Sequence, residues 1–279
     1  MKTVLITGAT GGIGIHVARG LATRADRVVI TGRDQARGEA AVAELRREAG
    51  HDEVHFIQID HSLMAANREL AAEISRRFDR LDILINNVGG IFPEHRMTTE
   101  GHELSLAMNF LGPASLTLAL LPLLRRSAPA RIVQVSSTAW HMAKGDPLED
   151  LQATRRFVGI EVHARAKLLS LLFTMAIARK EPGVAVNAVN PGSAWTPMVE
   201  SITPETVPAW RFIWPLVRWF QRRGSPRDAA RGPLLLAKEE AAGTGRFFDE
   251  LKEKPIPKHL QQAELQDRVL ALGTSLTAS

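Results

Sequence analysis

Two residues suited to proton transfer, His163 and Lys167, lie four positions apart in the segment Val162–Leu168. A histidine with its ordinary pKa of about 6.5 can take up or release a proton at neutral pH. The nearby lysine charge disfavours an imidazolium ion and so lowers the histidine pKa. The pair therefore indicates a neutral imidazole that acts as a base, or as a relay through one water molecule, rather than a charged acid.

A glycine-rich run near the start of the chain predicts a phosphate site. The run reads Thr7-Gly8-Ala9-Thr10-Gly11-Gly12-Ile13-Gly14, and it lies between a predicted strand and a predicted helix. Its glycines let the backbone turn tightly and approach a pyrophosphate, which rests on the helix N-terminus where free amides and the helix dipole favour negative charge. Because the run opens a βαβ unit, a turn that binds no ligand is the weaker explanation.

The residues that follow the second and third predicted strands indicate the type of dinucleotide. An enzyme that selects NAD usually has an acidic residue at the end of the second strand, whereas a 2′-phosphate requires a cation. Here Gly32 stands at that position and Arg33 follows it, which predicts NADP(H); the alternative for Arg33 is a solvated turn. Asp60 is placed to accept a hydrogen bond from the adenine amino group, and the turn Asn86-Asn87-Val88-Gly89 is expected to line the adenosine side.

The elements that must position these residues are short β-branched runs alternating with helix-like stretches, a pattern typical of βαβ units and a parallel sheet. Seven strands are predicted, near Thr3–Thr7, Arg27–Thr31, Val54–Ile59, Leu81–Asn86, Ala130–Val135, Ala185–Val189 and Thr244–Phe247. With helices on both faces, they predict one α/β domain of the Rossmann type over residues 1–279, built on a doubly wound, seven-stranded parallel sheet.

Composition limits the class of protein. The 279 residues are 45% hydrophobic and 23% charged, which suffices for one large domain. The absence of cysteine excludes disulfides, thiolate catalysis and zinc–thiolate sites, and the spacing of the histidines predicts no metal site. The net charge is +5, but Lys and Arg are scattered among Asp and Glu, so we expect no nucleic-acid partner. Because the first strand pattern begins at Lys2, we expect no leader, no stable membrane insertion and a cytoplasmic location.

An aromatic segment, Thr203–Gly224, is rich in tryptophan, phenylalanine and arginine. An amphipathic helix packed on the core explains this composition, and so does a lid over a lipophilic substrate, which we expect within residues 200–230. Docking on a membrane surface is a third explanation, but Pro215 and the arginines exclude a spanning helix.

These segments together resemble the short-chain dehydrogenase/reductase family over nearly the whole chain. The likeness rests on TGATGGIG from Thr7, NNVG from Asn86, Asn109 within MNFLG, the strand end Arg131–Ser137, Lys167, and PGSAWT from Pro191. Within the family, the chain is most similar to the retinol dehydrogenase-like branch, through residues 137–163, 167–174 and 245–248. That branch implies interconversion of a carbonyl and an alcohol on lipophilic substrates with NADP(H).

The resemblance also implies roles for the matching residues. Ser137 would donate a hydrogen bond to the substrate oxygen, Lys167 would hold the nicotinamide ribose, and Asn109 would hold a water molecule of the proton relay. The nicotinamide carboxamide would be seated by Pro191, Gly192 and Thr196. The position of the family's catalytic tyrosine falls on His163, and the chain contains no tyrosine.

The replacement of tyrosine by His163 leaves three functions open. In the first, the histidine and a water molecule replace the tyrosine of a dehydrogenase or reductase, and Ser137 stabilises the developing oxyanion. In the second, the fold supports a non-redox cyclase, dehydratase or isomerase that uses an imidazole base. In the third, the protein binds NADP without catalysis.

The resemblance bears on assembly as well. Family members often pair through two helices, which we expect near Gly101–Leu124 and Glu161–Lys180 in this chain. We therefore expect a homodimer or homotetramer, unless the long segment before His163 covers that face.

Overall fold

The computed structural model describes residues 1–24, 26–200, 202–204, 206–207, 214, 219, 224–238 and 243–278. These residues contain one eight-stranded sheet with helices on both faces. The strands are β1 Thr3–Ile6, β2 Arg27–Gly32, β3 Val54–Gln58, β4 Ile83–Asn86, β5 Ala130–Val135, β6 Val184–Asn190, β7 Phe247–Asp249 and β8 Lys252–Lys254. The Rossmann-type α/β fold predicted from the sequence is confirmed.

The order of the strands creates a binding edge. Across the sheet the order is β3-β2-β1-β4-β5-β6-β7-β8, so the chain runs outward from β1 to β3 and then returns to β4 beside β1. Strands β1 to β7 pair in parallel. In such a sheet, ligands bind where the order reverses, in the crevice beyond the carboxyl ends of the strands. The glycine-rich run after β1 and the turn after β4 meet at this edge.

Two strand predictions need correction. The sheet has an eighth strand, β8, which runs antiparallel to β7. Its Lys-Glu-Lys sequence is exposed and contains no apolar residue whose alternation would indicate a strand. The strand predicted at Thr244–Phe247 begins instead at Phe247, because Gly243 and Gly245 adopt positive φ angles of 66° and 74° in a turn before it.

Helices pack on both faces of the sheet. They are α1 Gly12–Ala22, α2 Gln35–Ala49, α3 Met64–Arg77, α4 Leu104–Arg126, α5 Gly159–Lys180, α6 Pro197–Glu200, α7 Pro226–Ala229, α8 Arg231–Lys238 and α9 Ala263–Ala278. Residues Ala107–Leu111 form a π turn within α4, and short 3-10 turns lie at Thr138–Met142 and Lys258–Leu260. Helix α4 is long and apolar enough to cross a membrane, but 83% of its most apolar stretch is buried inside the fold, as in a core helix.

Successive residues of each strand point to opposite faces and build two core layers. In β1, Leu5 packs in the layer formed with α3, α4, α5 and α9, whereas Val4 and Ile6 belong to the layer with α1, α2 and α8. Helix α5 is buried along most of its length. The side chains of His163 and Lys167 are therefore held by a packed helix in a setting of low dielectric constant.

The C-terminal helix α9 covers one side of α4 and α5. Gly273 on α9 faces Phe110 of α4 and Phe173 of α5, since a Cβ at this glycine would lie 3.4 and 3.5 Å from their rings. Near the end of α5, Arg179 pairs with Asp267 of α9 at 2.7 Å. The helices that were expected to pair with a second copy thus pack against α9 of their own chain, and the homodimer or homotetramer stays a prediction.

Candidate active site

The glycine-rich run forms a tight loop between β1 and α1. Gly8 and Gly12 have φ angles of 63° and 56°, in the left-handed region that favours glycine. A Cβ at Gly14 would lie 2.7 Å from the Cα atom of Ala9 and from the side-chain nitrogen of Asn87, so only glycine fits there. No side chain caps the N-terminus of α1, which leaves its first backbone amides available to an anion. The loop therefore fits the pyrophosphate of a dinucleotide.

Two residues predicted to bind the cofactor brace this loop. The hydroxyl of Thr7 accepts hydrogen bonds from the backbone nitrogens of Asn87 and Val88, at 2.9 and 3.0 Å. In return, the side-chain amide of Asn87 donates to the carbonyls of Thr7 and Gly8, at 2.9 and 3.2 Å. The loops after β1 and β4 are consequently fixed to each other at the edge where the strand order reverses.

A buried histidine that sequence analysis assigned no role lies beneath the same loop. The backbone nitrogen of Gly8 donates to the hydroxyl of Thr31 at 3.2 Å, and this hydroxyl lies 2.7 Å from Nε2 of His61. Nδ1 of His61 donates to the side-chain oxygen of Asn67 at 2.7 Å, because the Asn67 amide nitrogen itself donates to backbone carbonyls. Nε2 therefore accepts from Thr31, and burial lowers the pKa of His61 to about 4. The neutral ring anchors the first glycine of the loop through Thr31.

The adenosine side of the edge carries the residues predicted to select NADP(H). A Cβ at Gly32 would lie 2.6 Å from Cγ2 of Thr10, so a larger residue at this position would have to move the Thr10 side chain. Arg33 and Asp60 line a cavity of about 460 Å³. One Asp60 oxygen accepts from the backbone nitrogen and hydroxyl of Ser62 at 2.9 and 2.8 Å. The structure thus brings Arg33 and Asp60 to one cavity, which residues of β3 and α3 also line.

A second arginine approaches this loop from α2. Nη2 of Arg37 lies 3.1 Å from the position that a Cβ on Gly11 would occupy. The backbone nitrogen of Arg37 donates to the carboxylate of Asp34, which caps α2. Because residue 11 has no side chain, the guanidinium group can lie against the backbone of the loop.

On the other side of the edge, Lys167 and Asn109 flank Gly89. A Cβ at this glycine would lie 2.9 Å from Oδ1 of Asn109 and 3.2 Å from Nζ of Lys167. Nζ donates to the carbonyl of Val135 at 3.2 Å, and burial lowers the Lys167 pKa to about 8. Of Lys167 and His163, the lysine therefore has the pKa closer to 7.

The side chain of Asn109 holds the backbone that follows β4. Its amide nitrogen donates to the carbonyls of Gly90 and Ser105 at 2.8 and 2.9 Å, and its oxygen accepts from the Gly90 nitrogen at 3.2 Å. Both amide hydrogens are thus used, and one lone pair on Oδ1 remains for a water molecule. The π turn of α4 contains this residue.

His163 is held by the same Gly90 carbonyl. Its Nδ1 atom lies 2.9 Å from that oxygen, which can only accept, so Nδ1 carries the proton. The ring is 6% exposed. Burial, followed by the charge of Lys167, lowers the His163 pKa to about 3. The imidazole is therefore neutral, and its Nε2 atom carries a lone pair that makes no hydrogen bond with the described residues.

Ser137 ends the row of predicted catalytic residues at the carboxyl end of β5. Its hydroxyl oxygen accepts from the backbone nitrogen of Ala139 at 3.1 Å and caps the 3-10 turn Thr138–Met142. The hydroxyl proton remains available, because the cap uses only the oxygen. Ser137 makes no direct hydrogen bond with His163, although the turn that it caps packs against α5.

The loop Pro191–Thr196 follows β6 and lies against the nucleotide loop. Gly192 has a φ angle of 82°. Cγ2 of Thr196 would lie 3.4 Å from a Cβ on Gly12, which places this predicted cofactor residue over the loop after β1. The backbone nitrogen of Trp195 donates to the Gly224 carbonyl at 2.9 Å. The two loops together bound the space between the nucleotide side and the His163 side.

Most of the lid predicted within residues 200–230 lies outside the described residues, Trp210 included. Its first part is described: Thr206 and Val207 are buried, and the Thr206 carbonyl accepts from the nitrogen of Ile160 at 3.1 Å. Trp219 is 48% exposed. The described residues at the two ends of the segment thus lie at the start of α5 and beside the loop after β6.

Comparison with known proteins identifies the family. Residues 2–146 match the family model described as short chain dehydrogenase. The chain belongs to the short-chain dehydrogenase family. Retinol dehydrogenase 13 of Homo sapiens is 35% identical to it over 285 residues, which cover 99% of this chain and 84% of that protein. Dehydrogenase/reductase SDR family member 13 of Bos taurus is 36% identical over 267 residues, covering 92% of this chain and 68% of that protein.

A solved structure agrees with this assignment. An uncharacterised protein of Mycobacterium paratuberculosis is 26% identical, with a TM-score of 0.76 over 100% of this chain and 94% of that chain. This short-chain dehydrogenase is an oxidoreductase of the retinol dehydrogenase-like branch, and the family implies a nicotinamide dinucleotide cofactor. The family and the branch predicted from the motifs are confirmed.

Two residues of the site were missed from the sequence. Arg37 lies in the first turn of α2 and meets Gly11, twenty-six positions before it, only in the folded chain, so no local spacing indicates it. His61 gave no such local signal, since Thr31 is thirty positions away and meets it through the pairing of β2 with β3.

Proposed function

We propose that this short-chain dehydrogenase interconverts a carbonyl and an alcohol on a lipophilic small molecule with NADP(H), and that His163 takes the place of the family's tyrosine. The observation that carries the proposal is the state of His163. The ring is buried, its Nδ1 proton is committed to Gly90, and its Nε2 lone pair is unused among the described residues. Nε2 is not sealed from solvent by the described residues, so a water molecule or the substrate oxygen can reach this lone pair.

The residues of the nucleotide side support the cofactor assignment. NADP(H) supplies or accepts the hydride when it is bound. The loop Thr7–Gly14 and the uncapped start of α1 would hold the pyrophosphate, and Asp60 would accept from the adenine amino group. Arg33 lines the same cavity, and Gly32 stands where an NAD enzyme has its acid. Lys167 would donate to the nicotinamide ribose, while Pro191, Gly192 and Thr196 seat the carboxamide.

The proton step follows from the two pKa values. With a pKa of about 3, His163 is almost entirely unprotonated and neutral at pH 7, so it is a poor proton donor. Lys167, with a pKa of about 8, is charged at pH 7 and can give up its proton with little cost. In our proposal Lys167 is the proton source for carbonyl reduction, and Nε2 of His163 accepts a hydrogen bond from the water that carries the proton. Ser137 donates to the substrate oxygen and stabilises its developing charge.

The same values weigh against the non-redox alternatives. A cyclase, dehydratase or isomerase on this fold would need His163 itself to remove a proton at neutral pH. A base is efficient when its pKa lies near the working pH, and burial beside Lys167 moves the His163 pKa far below it. An acceptor that only orients the proton-carrying water molecule tolerates such a low pKa.

The relatives and the aromatic segment support the proposal of a lipophilic substrate. Proteins similar to this chain are named retinol dehydrogenases, and retinol is a lipophilic alcohol. The aromatic segment leaves the start of α5, the helix that carries His163, and rejoins the chain beside Ser193. A lid at this place would exclude water from the hydride and proton transfer.

A screen of carbonyls tests the proposal. Long-chain and ring-containing aldehydes and ketones would be incubated with the protein and NADPH, and the loss of NADPH absorbance recorded; the reverse screen would use alcohols with NADP+. We expect turnover of lipophilic compounds and none of sugars. If no carbonyl or alcohol is converted while NADPH still binds, the redox proposal is wrong, and a non-redox enzyme or an NADP-binding protein remains.

A further inference from the structure

A second cavity lies at the edge of the sheet opposite to the candidate active site. Its volume is about 380 Å³, which is sufficient for a small molecule. Helix α5 extends between the two places, since Arg179 follows His163 by sixteen positions and so lies about 24 Å further along the helix. The cavity is lined by Met175, Ala178, Arg179, Thr244, Gly245, Arg246, Phe247, Ile256, Gln261 and Gln266. None of these residues belongs to the site described above.

The inner wall of the cavity is apolar, and two small residues contribute to it. Gly245 has a φ angle of 74°, and a Cβ on it would lie 3.7 Å from the Cβ of Ala178. Because neither position carries a larger side chain, space remains between α5 and the turn before β7. Met175 and Phe247 complete this wall and are almost fully buried. An apolar chain placed here would remove further apolar surface from water.

The rim of the cavity is basic. Arg179 and Arg246 line it, and none of its lining residues in the described part of the chain is acidic. Each guanidinium group contacts one half-exposed carboxylate, Arg179 that of Asp267 at 2.7 Å and Arg246 that of Glu253 at 2.9 Å. Nη1 of Arg179 and Nη2 of Arg246 form no hydrogen bond with the described residues. Both arginines therefore retain N–H donors for a further acceptor.

Two lysines add to the positive charge at this rim. Nζ of Lys180 lies 3.1 Å from the Asp267 carboxylate, which is thus shared between two cations. Lys254 lies opposite Phe247 in the β7–β8 pair, so its side chain projects from the face of the hairpin that borders the cavity. These contacts bring together four cations and two carboxylates. The excess of positive charge favours an anion.

A buried glutamine lies between the charged rim and the apolar wall. Gln266 is 5% exposed. Its side-chain oxygen accepts from Nε of Arg179 at 3.5 Å, and its amide nitrogen donates to the carbonyl of Leu260 at 3.0 Å. The second amide hydrogen forms no hydrogen bond with the described residues. Gln266 and Arg179 therefore offer neighbouring N–H donors to one group of oxygen atoms.

We infer that this cavity, bounded by α5, the β7–β8 hairpin and α9, binds a monocarboxylic acid with an apolar chain. The carboxylate accepts hydrogen bonds from Arg179 and Gln266, and the chain lies against Met175 and Phe247. A guanidinium group matches the geometry of a carboxylate, and the buried wall matches an apolar chain. The site is separate from the proposed cofactor and reaction.

The test uses octanoate as the probe and the full chain with isotope-labelled methionine methyl groups. The methyl signal of Met175, which lines the cavity, is assigned by its loss in Met175→Leu. We expect octanoate to shift this signal in a saturable manner and to leave the signal of Met64, buried at the start of α3, unchanged. Octanamide, which has the same chain and no charge, should bind at least about tenfold more weakly.

Three variants separate recognition of the acid from support of the fold. Arg179→Gln should weaken octanoate binding roughly tenfold, because it removes a charged donor. Asp267→Asn breaks the same ion pair but removes a negative charge, so it should bind octanoate at least as tightly as the unmodified protein. The matched control is Arg126→Gln, an exposed arginine at the end of α4, which should not change the affinity. Thermal melting checks that each variant is folded.

The outcomes distinguish the inference from binding elsewhere. If octanoate leaves the Met175 signal unchanged up to its solubility, the cavity does not bind the acid and the inference is wrong. Equal affinities for octanoate and octanamide would overturn the assignment of an anion, even if Arg179→Gln failed to fold. Equal losses of affinity in Arg179→Gln and Asp267→Asn would show that the ion pair supports the fold and that Arg179 does not hold the carboxylate.

Discussion

Two buried histidines mark the half of the binding edge that we expect to hold the nucleotide and the half where we propose that the reaction takes place. His61, under the nucleotide loop, has hydrogen-bond partners on both ring nitrogens, Thr31 and Asn67. His163, at the other side of the edge, has a partner on Nδ1 alone. Burial lowers both pKa values, to about 4 and about 3, so the pKa does not distinguish them. The two rings differ in whether both nitrogens form hydrogen bonds within the fold. Because Nε2 of His163 forms none with the described residues, His163 is the histidine that can bind a ligand.

Acidification tests the property that the two histidines share, a lowered pKa. Of the changes considered, we expect it to have the largest effect. In the unfolded chain both rings take up a proton near pH 6.5, whereas in the fold they resist it down to about pH 4 and 3. Their contribution to stability is thus complete above pH 6.5 and is lost as the pH falls below it, on the order of 2 kcal/mol each by pH 4.5. Urea unfolding at pH 7.0 and 4.5 would measure this loss.

The matched variant for the acid experiment is the double substitution His61→Leu and His163→Phe. Its stability should fall less between the two pH values than that of the unmodified protein. An equal fall in both proteins would show that carboxylates, and not these rings, cause the loss.

Replacement of His163 tests the reacting half. His163→Phe removes the Nε2 acceptor and should lower turnover at least about 100-fold, the usual contribution of a positioned proton-transfer group. NADPH affinity should stay within about twofold, because the ring is not part of the nucleotide side. The control is His259→Phe, an exposed histidine of the turn Lys258–Leu260. Retained turnover in His163→Phe would show that no essential proton passes through this position.

Replacement of His61 should have the opposite profile. His61→Leu leaves the Thr31 hydroxyl and the Asn67 oxygen without their buried partners, which should cost about 1–3 kcal/mol of folding free energy. The loosened Gly8 should weaken NADPH binding severalfold, with turnover at saturating NADPH nearly unchanged. Loss of turnover with intact NADPH affinity would reverse the assignment of the two halves.

The smallest effect is expected for His163→Tyr. A phenol at this position restores the hydroxyl of the family's tyrosine beside Lys167, whose charge lowers the ordinary phenol pKa of about 10. Carbonyl reduction should rise a few-fold over that of the unmodified protein, as measured by NADPH absorbance. A complete loss of the native reaction in this variant would instead favour a chemistry that depends on the imidazole.

The sequence predicts those features that neighbouring residues determine, and it misses those that depend on contacts between distant segments. Gly8, Gly12 and Gly14 were recognisable because their backbone angles and contacts are set within one loop. The short β-branched runs predicted the strands. The role of His61 depends on β2 lying beside β3, and the use of the Asn109 side chain depends on Gly90, nineteen positions before it. Strand β8 has no apolar pattern, since it is an exposed edge. Such features follow from the assembled sheet and not from any single segment.

Helix α9 supports the site helices from within the same chain, and this support does not depend on protein concentration. It supports α4 and α5 from within the same chain, through Gly273 and the pair of Arg179 with Asp267. If a second copy had to supply this support, it would be lost by mass action as the protein is diluted. A covalently attached helix keeps the same effective concentration at any dilution. The support that α9 gives to α4 and α5 should therefore be the same in a dilute assay as in a concentrated stock.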